Sequence, residues 1–349
     1  MGEFPVHPAD VTPQWLTEVL GARVDTVRWE PIGTGQVGDS ARFHLEGPDA
    51  PATLAGKFAA EDAASRGTAV MFGLYRKEVE FYRQAAPRLG VRVPGVHFAA
   101  VSEDGGEFIL LFEDMGPARQ GDQIRGCTID DARAGIRQAA AIHAPSWGVT
   151  DLLEAEWHAP PTDLGQTLGA LYPQAQAVWR ERYADKLEPE MMRLCEELAE
   201  MSGSYFQRTD PPQCLVHGDF RLDNMLFDIC GGTEPIAILD WQTVTVGKAM
   251  TDVGYFMGTG IGEALWRIHE DELLDLWLAE MAARGRGLTR DDIWHDYLLG
   301  ILHGVSTAVF SAAFVERTER GDANFLSMAR GGCSLALARD SLSALKETL

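Results

Sequence analysis

The sequence predicts an α+β protein of two lobes, a small N-terminal lobe with an antiparallel sheet and a larger, mainly helical C-terminal lobe. Three observations carry this prediction. The chain has 349 residues, which is long for a single hydrophobic core. Strand-like alternation dominates as far as about Met115, and helical periodicity dominates after it. A polar stretch with three glycines separates the two patterns. We therefore expect lobes at 1–115 and 127–349, joined by a hinge or connector at 116–126.

The N-terminal lobe contains three clear strand signals. Ala41, Phe43 and Leu45 alternate with polar neighbours, which is the period of a half-buried strand. Residues 53–60 form a second apolar run, and residues 108–112 are apolar throughout. These runs predict neighbouring strands of one sheet.

One helix, predicted at 68–86, gives the small lobe its main chemical signal. At 100° per residue, Glu78 lies on the same face as Met71, Tyr75 and Phe81. An inward carboxylate costs free energy unless it is paired. Lys57, in the second apolar run, is the available partner, so we predict a Lys57–Glu78 ion pair; the alternative is a surface lysine on an edge strand.

Helices account for most of the C-terminal lobe. Periodic segments lie at 130–144, with Asp130 as the expected N-cap, and at 185–202 and 263–284. The acidic run 270–272 reads as a solvated helix face. Six tryptophans are expected either in the core or along a substrate pocket, and at least half of them in the core. They are Trp147, Trp157, Trp179, Trp266, Trp277 and Trp294.

Charge and cysteine content narrow the function classes. Lys and Arg number 30 against 52 Asp and Glu, a net charge of −22, which argues against nucleic acid or an anionic membrane as a partner. The five cysteines are widely spaced without a CxxC pair, which suits a reducing cytoplasm rather than a disulfide framework or zinc site. No signal peptide is apparent at the N-terminus, and the apolar stretch 301–315 is too short and too polar to span a membrane.

The strongest motif is LVHGDFRLDNMLFD, followed by AILDW. Asn224 precedes one short apolar run and Asp240 ends the next, with a Gly-Gly turn between the two runs. A hairpin turning there would bring the two side chains together. An amide oxygen and a carboxylate suit Mg²⁺, a hard cation that takes few protein ligands and fills its shell with phosphate and water.

The loop before this hairpin carries the candidate catalytic groups. Asp219 lies five residues before Asn224, where it could take a proton from a hydroxyl nucleophile beside a metal-bound phosphate. Arg221 offers a cation for the charge on a transferring phosphoryl group. The plainer alternative is that His-Gly-Asp only makes a turn, while Asn224 and Asp240 cap strand ends.

A glycine-rich loop contains Gly33, Gly35 and Gly38. A dinucleotide fingerprint of this spacing needs a helix directly after the glycines, but residues 40–46 alternate like a strand. Strand, loop and strand together form a hairpin that can donate backbone N–H groups to phosphates. A plain glycine-rich hairpin remains the alternative.

These motifs together resemble the aminoglycoside phosphotransferase/choline kinase-like family, a branch of the protein-kinase-like fold, and most closely its bacterial ecdysteroid-kinase-like members. The resemblance covers about residues 28–282. It implies that Asp219 is the catalytic base and that Asn224 and Asp240 hold Mg²⁺. It also implies that Lys57, Glu78 and the glycine loop serve ATP.

The resemblance assigns further roles around these residues. Glu113 to Met115 would form the hinge whose backbone meets the adenine. Arg221 lies where protein kinases carry a lysine facing the γ-phosphate. Asp252 matches an aspartate that supports the catalytic loop, with a surface N-cap as the alternative. His143 matches a helix-end histidine of the family, although a packed core residue is the simpler interpretation.

Departures from the protein-kinase pattern favour a constitutively assembled small-molecule kinase. His-Gly-Asp replaces His-Arg-Asp, Asp-Trp-Gln replaces Asp-Phe-Gly, and no Ala-Pro-Glu follows. The expected activity is ATP- and Mg²⁺-dependent phosphoryl transfer to a hydroxyl of a small molecule, with MgATP bound between the lobes. The alternatives are a nucleotide-binding pseudokinase or scaffold and, less favoured, a protein kinase. The net charge weakly favours a neutral or cationic acceptor.

Overall fold

The structure is a computed structural model that describes residues 4–33, 38–208, 210–211, 213–315 and 317–348. The chain divides into two compact units. The first unit comprises Met1–Ala118 and Asp228–Val244, and the second comprises Arg119–Phe227 and Thr245–Leu349.

Ten strands are present in the described residues. In chain order they are β1 (Thr26–Pro31), β2 (Gly38–Glu46), β3 (Thr53–Ala59), β4 (Val96–Val101), β5 (Phe108–Glu113), β6 (Arg119–Gln120), β7 (Cys214–Val216), β8 (Met225–Asp228), β9 (Glu234–Ile238) and β10 (Thr245–Gly247).

Fourteen α-helical segments are described, several of them only one or two turns long. They are α1 (Pro13–Leu20), α2 (Ala63–Met71), α3 (Leu74–Glu80), α4 (Ile129–Ser146), α5 (Thr150–Leu153), α6 (Leu164–Tyr183), α7 (Pro189–Glu200), α8 (Ser202–Phe206), α9 (Ile229–Gly232), α10 (Met250–Tyr255), α11 (Glu263–Ala283), α12 (Arg290–Phe314), α13 (Glu319–Arg339) and α14 (Ser341–Lys346). Helices α3 and α10 each continue into a π-helical turn, at Phe81–Ala85 and Phe256–Gly260. Short 3₁₀ segments lie at Pro8–Asp10, Ala86–Arg88, Glu156–His158, Leu222–Asn224 and Trp241–Thr243.

A five-stranded antiparallel sheet forms the centre of the first unit, in the order β1-β2-β3-β5-β4. The predicted alternation is confirmed, because Ala41, Phe43 and Leu45 are all buried on one face. They pack with Leu16 of α1 and Leu54 of β3 in one apolar cluster. The opposite pleat of β3 carries Lys57, whose Cα pairs with those of Ser40 and Leu110. The sheet therefore places the lysine away from this cluster.

The predicted helix at 68–86 is broken in the structure. Gly73 adopts a left-handed backbone conformation with φ of 64°, so α2 ends and α3 begins on a new axis. As a result Met71, expected to face inward with Glu78, is 77% exposed. The expected inward positions Tyr75, Glu78 and Phe81 are nevertheless buried, because all three follow the break.

Residues 228–244 pack with the first unit although they follow the HGDFRLDN sequence, which belongs to the second. The guanidinium of Arg92 forms an ion pair with Glu234 of β9 at 2.7 Å. The backbone N–H of Ile238 donates to the carbonyl of Arg92 at 2.9 Å. The N–H of Cys230 donates to the carbonyl of Met115, also at 2.9 Å. These contacts draw residues from both sides of a long helical insertion into one unit.

The second unit is built from the long helices that the sequence predicts. Helix α12 packs against α6, α10 and α13, and α4 packs against α11. The cap of α4 differs from the expected Asp130: Thr128 and Asp131 form a reciprocal capping box. Trp179, Trp266 and Trp277 are at most 2% exposed, so half of the six tryptophans belong to the core, as expected. Two short antiparallel pairs, β7 with β10 and β6 with β8, carry the loop motif.

Two expectations about the helices were wrong. Glu270, expected on a solvated face, is 3% exposed and pairs with Arg339 and the hydroxyl of Tyr297. Its position on the inner side of α11 requires this neutralisation.

The second expectation was that the apolar stretch 301–315 is too short and too polar to span a membrane. Most of this stretch belongs to α12, which among the described residues is the one helix long and apolar enough to cross a membrane, by length and composition only. Within this structure, 61% of its apolar window is buried inside the protein.

Candidate functional site

In the first unit, Lys57 lies beside the end of the glycine-rich loop. Gly33 has a φ of 73°, a conformation that favours glycine. Gly38 begins β2, and a β-carbon there would lie 3.0 Å from the carbonyl oxygen of Phe58 and 3.4 Å from Cε of Lys57. The absent side chain at Gly38 thus leaves room for the lysine stem. Gly35 lies outside the described residues.

The predicted Lys57–Glu78 ion pair is present. The ammonium of Lys57 lies 2.7 Å from Oε2 and 2.9 Å from Oε1 of Glu78. It also lies 2.9 Å from Oδ1 of Asp240. The side chain of Glu78 is 1% exposed, that of Lys57 15% and that of Asp240 32%. The first unit therefore brings together three of the predicted site residues, and one cation serves two carboxylates.

This arrangement keeps Lys57 charged. Burial alone would lower the pKa of the ammonium, but the charges and hydrogen bonds of Asp240 and Glu78 outweigh burial and raise the pKa above its ordinary value. A protonated lysine is a charge-assisted hydrogen-bond donor of the kind that phosphate oxygens accept.

Trp241, the residue after Asp240, packs against Phe81 and forms hydrogen bonds with Ile238 and Glu78. Asp240 has a φ of 62°, and the indole of Trp241 stacks on the ring of Phe81 with centroids 3.8 Å apart. The indole N–H of Trp241 donates to the carbonyl of Ile238 at 3.3 Å, and its backbone N–H lies 3.4 Å from Oε1 of Glu78. Trp241 is completely buried. The segment that carries Asp240 is thus joined to α3 and the turn after it by the aromatic stack and by the hydrogen bond from Trp241 to Glu78.

The expected hinge residues have structural partners. The carboxylate of Glu113 accepts hydrogen bonds from the guanidinium of Arg92 and from the backbone N–H of Gly95. Burial tends to raise the pKa of Glu113, but these donors lower it below its usual value. Met115 is 4% exposed and its carbonyl accepts the N–H of Cys230. Adenine recognition by this segment stays a prediction.

In the second unit, the HGDFRLDN loop places Asp219 at the centre of a hydrogen-bond network. Oδ2 of Asp219 accepts from Nε of Arg221 and from the amide nitrogen of Asn224, each at 2.9 Å. Oδ1 accepts from the hydroxyl of Tyr255 at 2.8 Å. Three predicted site residues are therefore adjacent here, and a fourth side chain joins them that the sequence analysis did not identify.

The network keeps the Asp219 carboxylate ionised. Burial raises its pKa, but the charge and hydrogen bond of Arg221 and the hydroxyl of Tyr255 more than offset burial, so the pKa lies below the usual value. Arg221 also pairs with Asp223 at 2.9 Å. These two contacts use two of the five N–H donors of its guanidinium.

The side chain of Asn224 has a defined orientation. Its amide nitrogen donates to both the backbone oxygen and Oδ2 of Asp219 at 2.9 Å, so its amide oxygen points the other way. Asn224 ends the 3₁₀ turn Leu222–Asn224, directly before β8. Asn224 and Asp240 belong to different units, and their shared metal site stays a prediction from the sequence.

Asp252 supports the loop from α10, as the sequence analysis expected. Its two carboxylate oxygens accept the backbone N–H groups of His217, at 2.8 Å, and of Gly218, at 3.0 Å. His143 lies 3.1 Å from the same carboxylate, and Nδ1 of His143 accepts from the indole of Trp277 at 3.2 Å. The side chains of Asp252, His217, His143 and Trp277 are all buried. His143 is thus a core residue with a supporting role.

The sequence analysis did not identify three side chains that contact the site residues. Tyr255 donates a hydrogen bond to Asp219, and Trp241 stacks on Phe81. Nε2 of His303 lies 2.9 Å from the carbonyl oxygen of Gly218. Tyr255 follows Asp252 by three residues, so both lie on one face of α10. That spacing was the one available signal. His303 reaches the loop from α12, 85 residues away, and no local pattern indicates such a contact.

Comparisons with known proteins identify the family of the chain and structures with a similar fold. The model of the phosphotransferase enzyme family matches residues 72–292. The structure is similar to a microcompartment-associated aminopropanol kinase, with a TM-score of 0.56, 19% identity, and coverage of 92% of this chain and 94% of the other. It is also similar to choline kinase from Cryptosporidium parvum, with a TM-score of 0.52, 11% identity, and coverage of 93% and 91%.

A third similar structure is the GDP complex of aminoglycoside 2′-phosphotransferase-IIIa, with a TM-score of 0.51, 15% identity and coverage of 95% of each chain. At these identities the likenesses establish the fold. The predicted α+β, protein-kinase-like fold with a small antiparallel sheet and a larger helical part is confirmed.

The alignments with curated relatives cover only a small part of each relative's length. Acyl-CoA dehydrogenase family member 11 of Homo sapiens is 31% identical over 93 residues, which are 26% of this chain and 12% of that protein. Acyl-CoA dehydrogenase family member 10 of Mus musculus is 51% identical over 41 residues, 4% of its length. The chain therefore aligns with one limited segment of these longer proteins.

Proposed function

Because the chain belongs to the phosphotransferase enzyme family, we propose that it transfers the γ-phosphoryl group of ATP to a hydroxyl of a small molecule. The observation that carries the proposal is the ionised, partly exposed carboxylate of Asp219, whose two oxygens accept hydrogen bonds from Arg221, Asn224 and Tyr255. A base whose orientation is set before the acceptor arrives is what phosphoryl transfer to an alcohol requires.

Asp219 would orient the acceptor hydroxyl and take its proton as the oxygen attacks phosphorus. A carboxylate offers about four acceptor positions, and Arg221, Asn224 and Tyr255 use three of them. One position on Oδ1 therefore stays open to a hydroxyl. The lowered pKa keeps this carboxylate unprotonated at neutral pH, so it can act as the acceptor of that proton.

Lys57 would hold phosphate oxygens of the nucleotide. Its ammonium is already oriented by Glu78, whose side chain is almost fully buried, so little conformational freedom is lost when a phosphate binds. Arg221 keeps three N–H donors beyond its contacts with Asp219 and Asp223, and these would stabilise charge on the transferring group.

Asn224 and Asp240 suit a magnesium ion in their chemistry. Asp240 presents a carboxylate that is about one-third exposed, and the amide oxygen of Asn224 is directed away from Asp219. Hard oxygen donors of this kind are those that Mg²⁺ prefers. When bound, the ion would neutralise charge on the phosphate oxygens.

The acceptor is proposed only by chemical class. The similar structures include an aminopropanol kinase and a choline kinase, which supports a small hydroxylated acceptor. The net charge of −22 favours a neutral or cationic molecule by long-range attraction. We also propose that the protein acts in the cytoplasm, since all five cysteines are free thiols.

A turnover assay tests the proposal. The protein is incubated with MgATP and a library of small alcohols, amino alcohols, sugars and aminoglycosides, and ADP release is measured against a control without acceptor. We expect acceptor-dependent turnover in the wild type and a loss of kcat of at least about 10² to 10⁴ in Asp219→Ala. Nucleotide affinity should be nearly unchanged in the variant. Equal turnover by both proteins would rule out Asp219 as the base.

A further inference from the structure

Tyr255, a residue outside the HGDFRLDN motif, contacts Oδ1 of Asp219. Its hydroxyl donates to that oxygen at 2.8 Å. Oδ2, the other oxygen, is held by two residues of the motif itself, Arg221 and Asn224. The orientation of the carboxylate therefore depends on three donors from two parts of the chain. Without Tyr255, nothing among these contacts would hold Oδ1.

The ring of Tyr255 is fixed by its surroundings. It is completely buried at the end of α10 and makes an edge-to-face contact with His303, with ring centroids 5.2 Å apart. Helix α12 passes close by at Gly304, where a β-carbon would lie 3.1 Å from Cδ2 of Tyr255 and 2.5 Å from a methyl of Thr259. The glycine therefore creates the space that the ring occupies.

One face of α10 thus supports both parts of the catalytic loop. Asp252 accepts the backbone N–H groups of His217 and Gly218, and Tyr255, three residues later, holds the side chain of Asp219. His303 adds a contact with the carbonyl of Gly218. The loop is consequently held by side chains on both its backbone and its carboxylate.

We propose that Tyr255 is a positioning residue for phosphoryl transfer: its hydroxyl holds Oδ1 of Asp219 so that the remaining acceptor position of that oxygen faces the hydroxyl of the acceptor. The inference rests on the proposed function. Burial and the charge of Asp219 raise the pKa of the Tyr255 phenol well above its usual value, so the group stays a donor. It acts on catalysis through Asp219 and takes no proton itself.

Tyr297 offers a matched control. It too is completely buried in the second unit, and its hydroxyl also donates to a carboxylate, Oε1 of Glu270, at 2.8 Å. Tyr255→Phe and Tyr297→Phe each remove one hydroxyl–carboxylate hydrogen bond from a buried ring. Their effects on thermal unfolding should be similar, so a difference in turnover reports the role of Tyr255 in positioning.

The experiment measures kcat and the KM values for MgATP and for the acceptor in the wild type and both variants, with the best acceptor from the library and with water as the baseline acceptor. We expect Tyr255→Phe to lower kcat roughly tenfold to a hundredfold, the worth of a hydrogen bond to a charged group, with KM for MgATP within about twofold of wild type. Tyr297→Phe should keep wild-type kcat.

Two outcomes would overturn the inference. Wild-type or higher kcat in Tyr255→Phe, with a lower KM for the acceptor, would mean that the tyrosine hydroxyl competes with the acceptor for Asp219. An equal loss of kcat in Tyr297→Phe would mean that any buried tyrosine hydroxyl matters. Gly304→Ala crowds the ring while keeping the hydroxyl, so it should also lower kcat and serves if Tyr255→Phe fails to fold.

Failure of the proposed function is distinguishable from failure of this inference. If the wild type shows no turnover with any acceptor or with water, phosphoryl transfer and the role of Tyr255 are both contradicted. An active wild type with an inactive Asp219→Ala and a fully active Tyr255→Phe contradicts the role of Tyr255 alone.

Discussion

The indole of Trp241 lies flat on the ring of Phe81, with centroids 3.8 Å apart and ring planes within 7° of parallel. Phe81 begins the π-helical turn that follows Glu78 on α3, and Trp241 follows Asp240. The stack therefore joins the two backbone segments whose carboxylates, Glu78 and Asp240, form ion pairs with Lys57. The side chain of Trp241 is completely buried.

Removing the stack should loosen the first unit and its lysine site. We expect Trp241→Ala to cost about 3–5 kcal/mol of unfolding free energy, as is usual for a buried large aromatic side chain. Trp241→Phe keeps a ring on Phe81 and should cost less. Denaturant unfolding measures both. Equal losses in the two variants would mean that burial alone, and not the stacked ring, provides the stabilisation.

Lys57→Met should weaken nucleotide binding at least tenfold, because the ammonium that would meet the phosphates is lost. The variant also leaves the nearly fully buried Glu78 without its cation, which should cost about 3–5 kcal/mol of stability. Titration calorimetry with MgATP measures the affinity. Lys77→Met, one position before Glu78 on α3, is the control and should bind like the wild type. Unchanged affinity in Lys57→Met would contradict the assignment.

Asp240→Ala should abolish the dependence of nucleotide binding on Mg²⁺. The carboxylate is the charged member of the proposed metal pair, and an alanine offers no oxygen to the ion. Calorimetry with ATP is carried out with and without Mg²⁺. Glu234→Gln, which removes another carboxylate charge of the first unit, should keep the dependence. A wild-type magnesium response in Asp240→Ala would exclude this residue as a ligand.

The pH dependence of stability should report the buried carboxylate of Asp252. Burial raises its pKa, but the hydrogen bond with His143 and the N–H donated by the backbone of His217 lower it below the ordinary value. A lowered pKa in the folded state means that the stabilisation is complete above the unfolded-state value of about 3.9. It is lost only as the pH falls through the lower, folded-state pKa.

Asp252→Asn should therefore cost about 3 kcal/mol near neutral pH. The difference in unfolding free energy between wild type and variant should not shrink between pH 7 and pH 5, and should shrink below about pH 4. Denaturant unfolding at several pH values measures this difference. A difference that disappeared between pH 7 and pH 5 would mean that the carboxylate titrates at a raised, not a lowered, pKa.

Local sequence was sufficient for much of the fold and part of the site. Alternation at Ala41, Phe43 and Leu45 reflects one half-buried and one buried face of a strand, so it is also present in the structure. The Lys57–Glu78 pair could be predicted because helical period places Glu78 inward and a buried carboxylate needs a cation. The same reasoning failed at Met71, since the left-handed backbone at Gly73 changes the helix axis.

The sequence by itself determined the two secondary-structure patterns, because period and residue type are local properties. It also provided the candidate site residues Lys57, Glu78, Asp219, Asn224 and Asp240. The tertiary structure alone decided that Asp240 shares the ammonium of Lys57 and that Tyr255 holds Asp219. It also decided that Glu270 is neutralised in the core by Arg339. Contacts between residues tens to hundreds of positions apart depend on how helices and strands pack, and no periodicity along the chain records that packing.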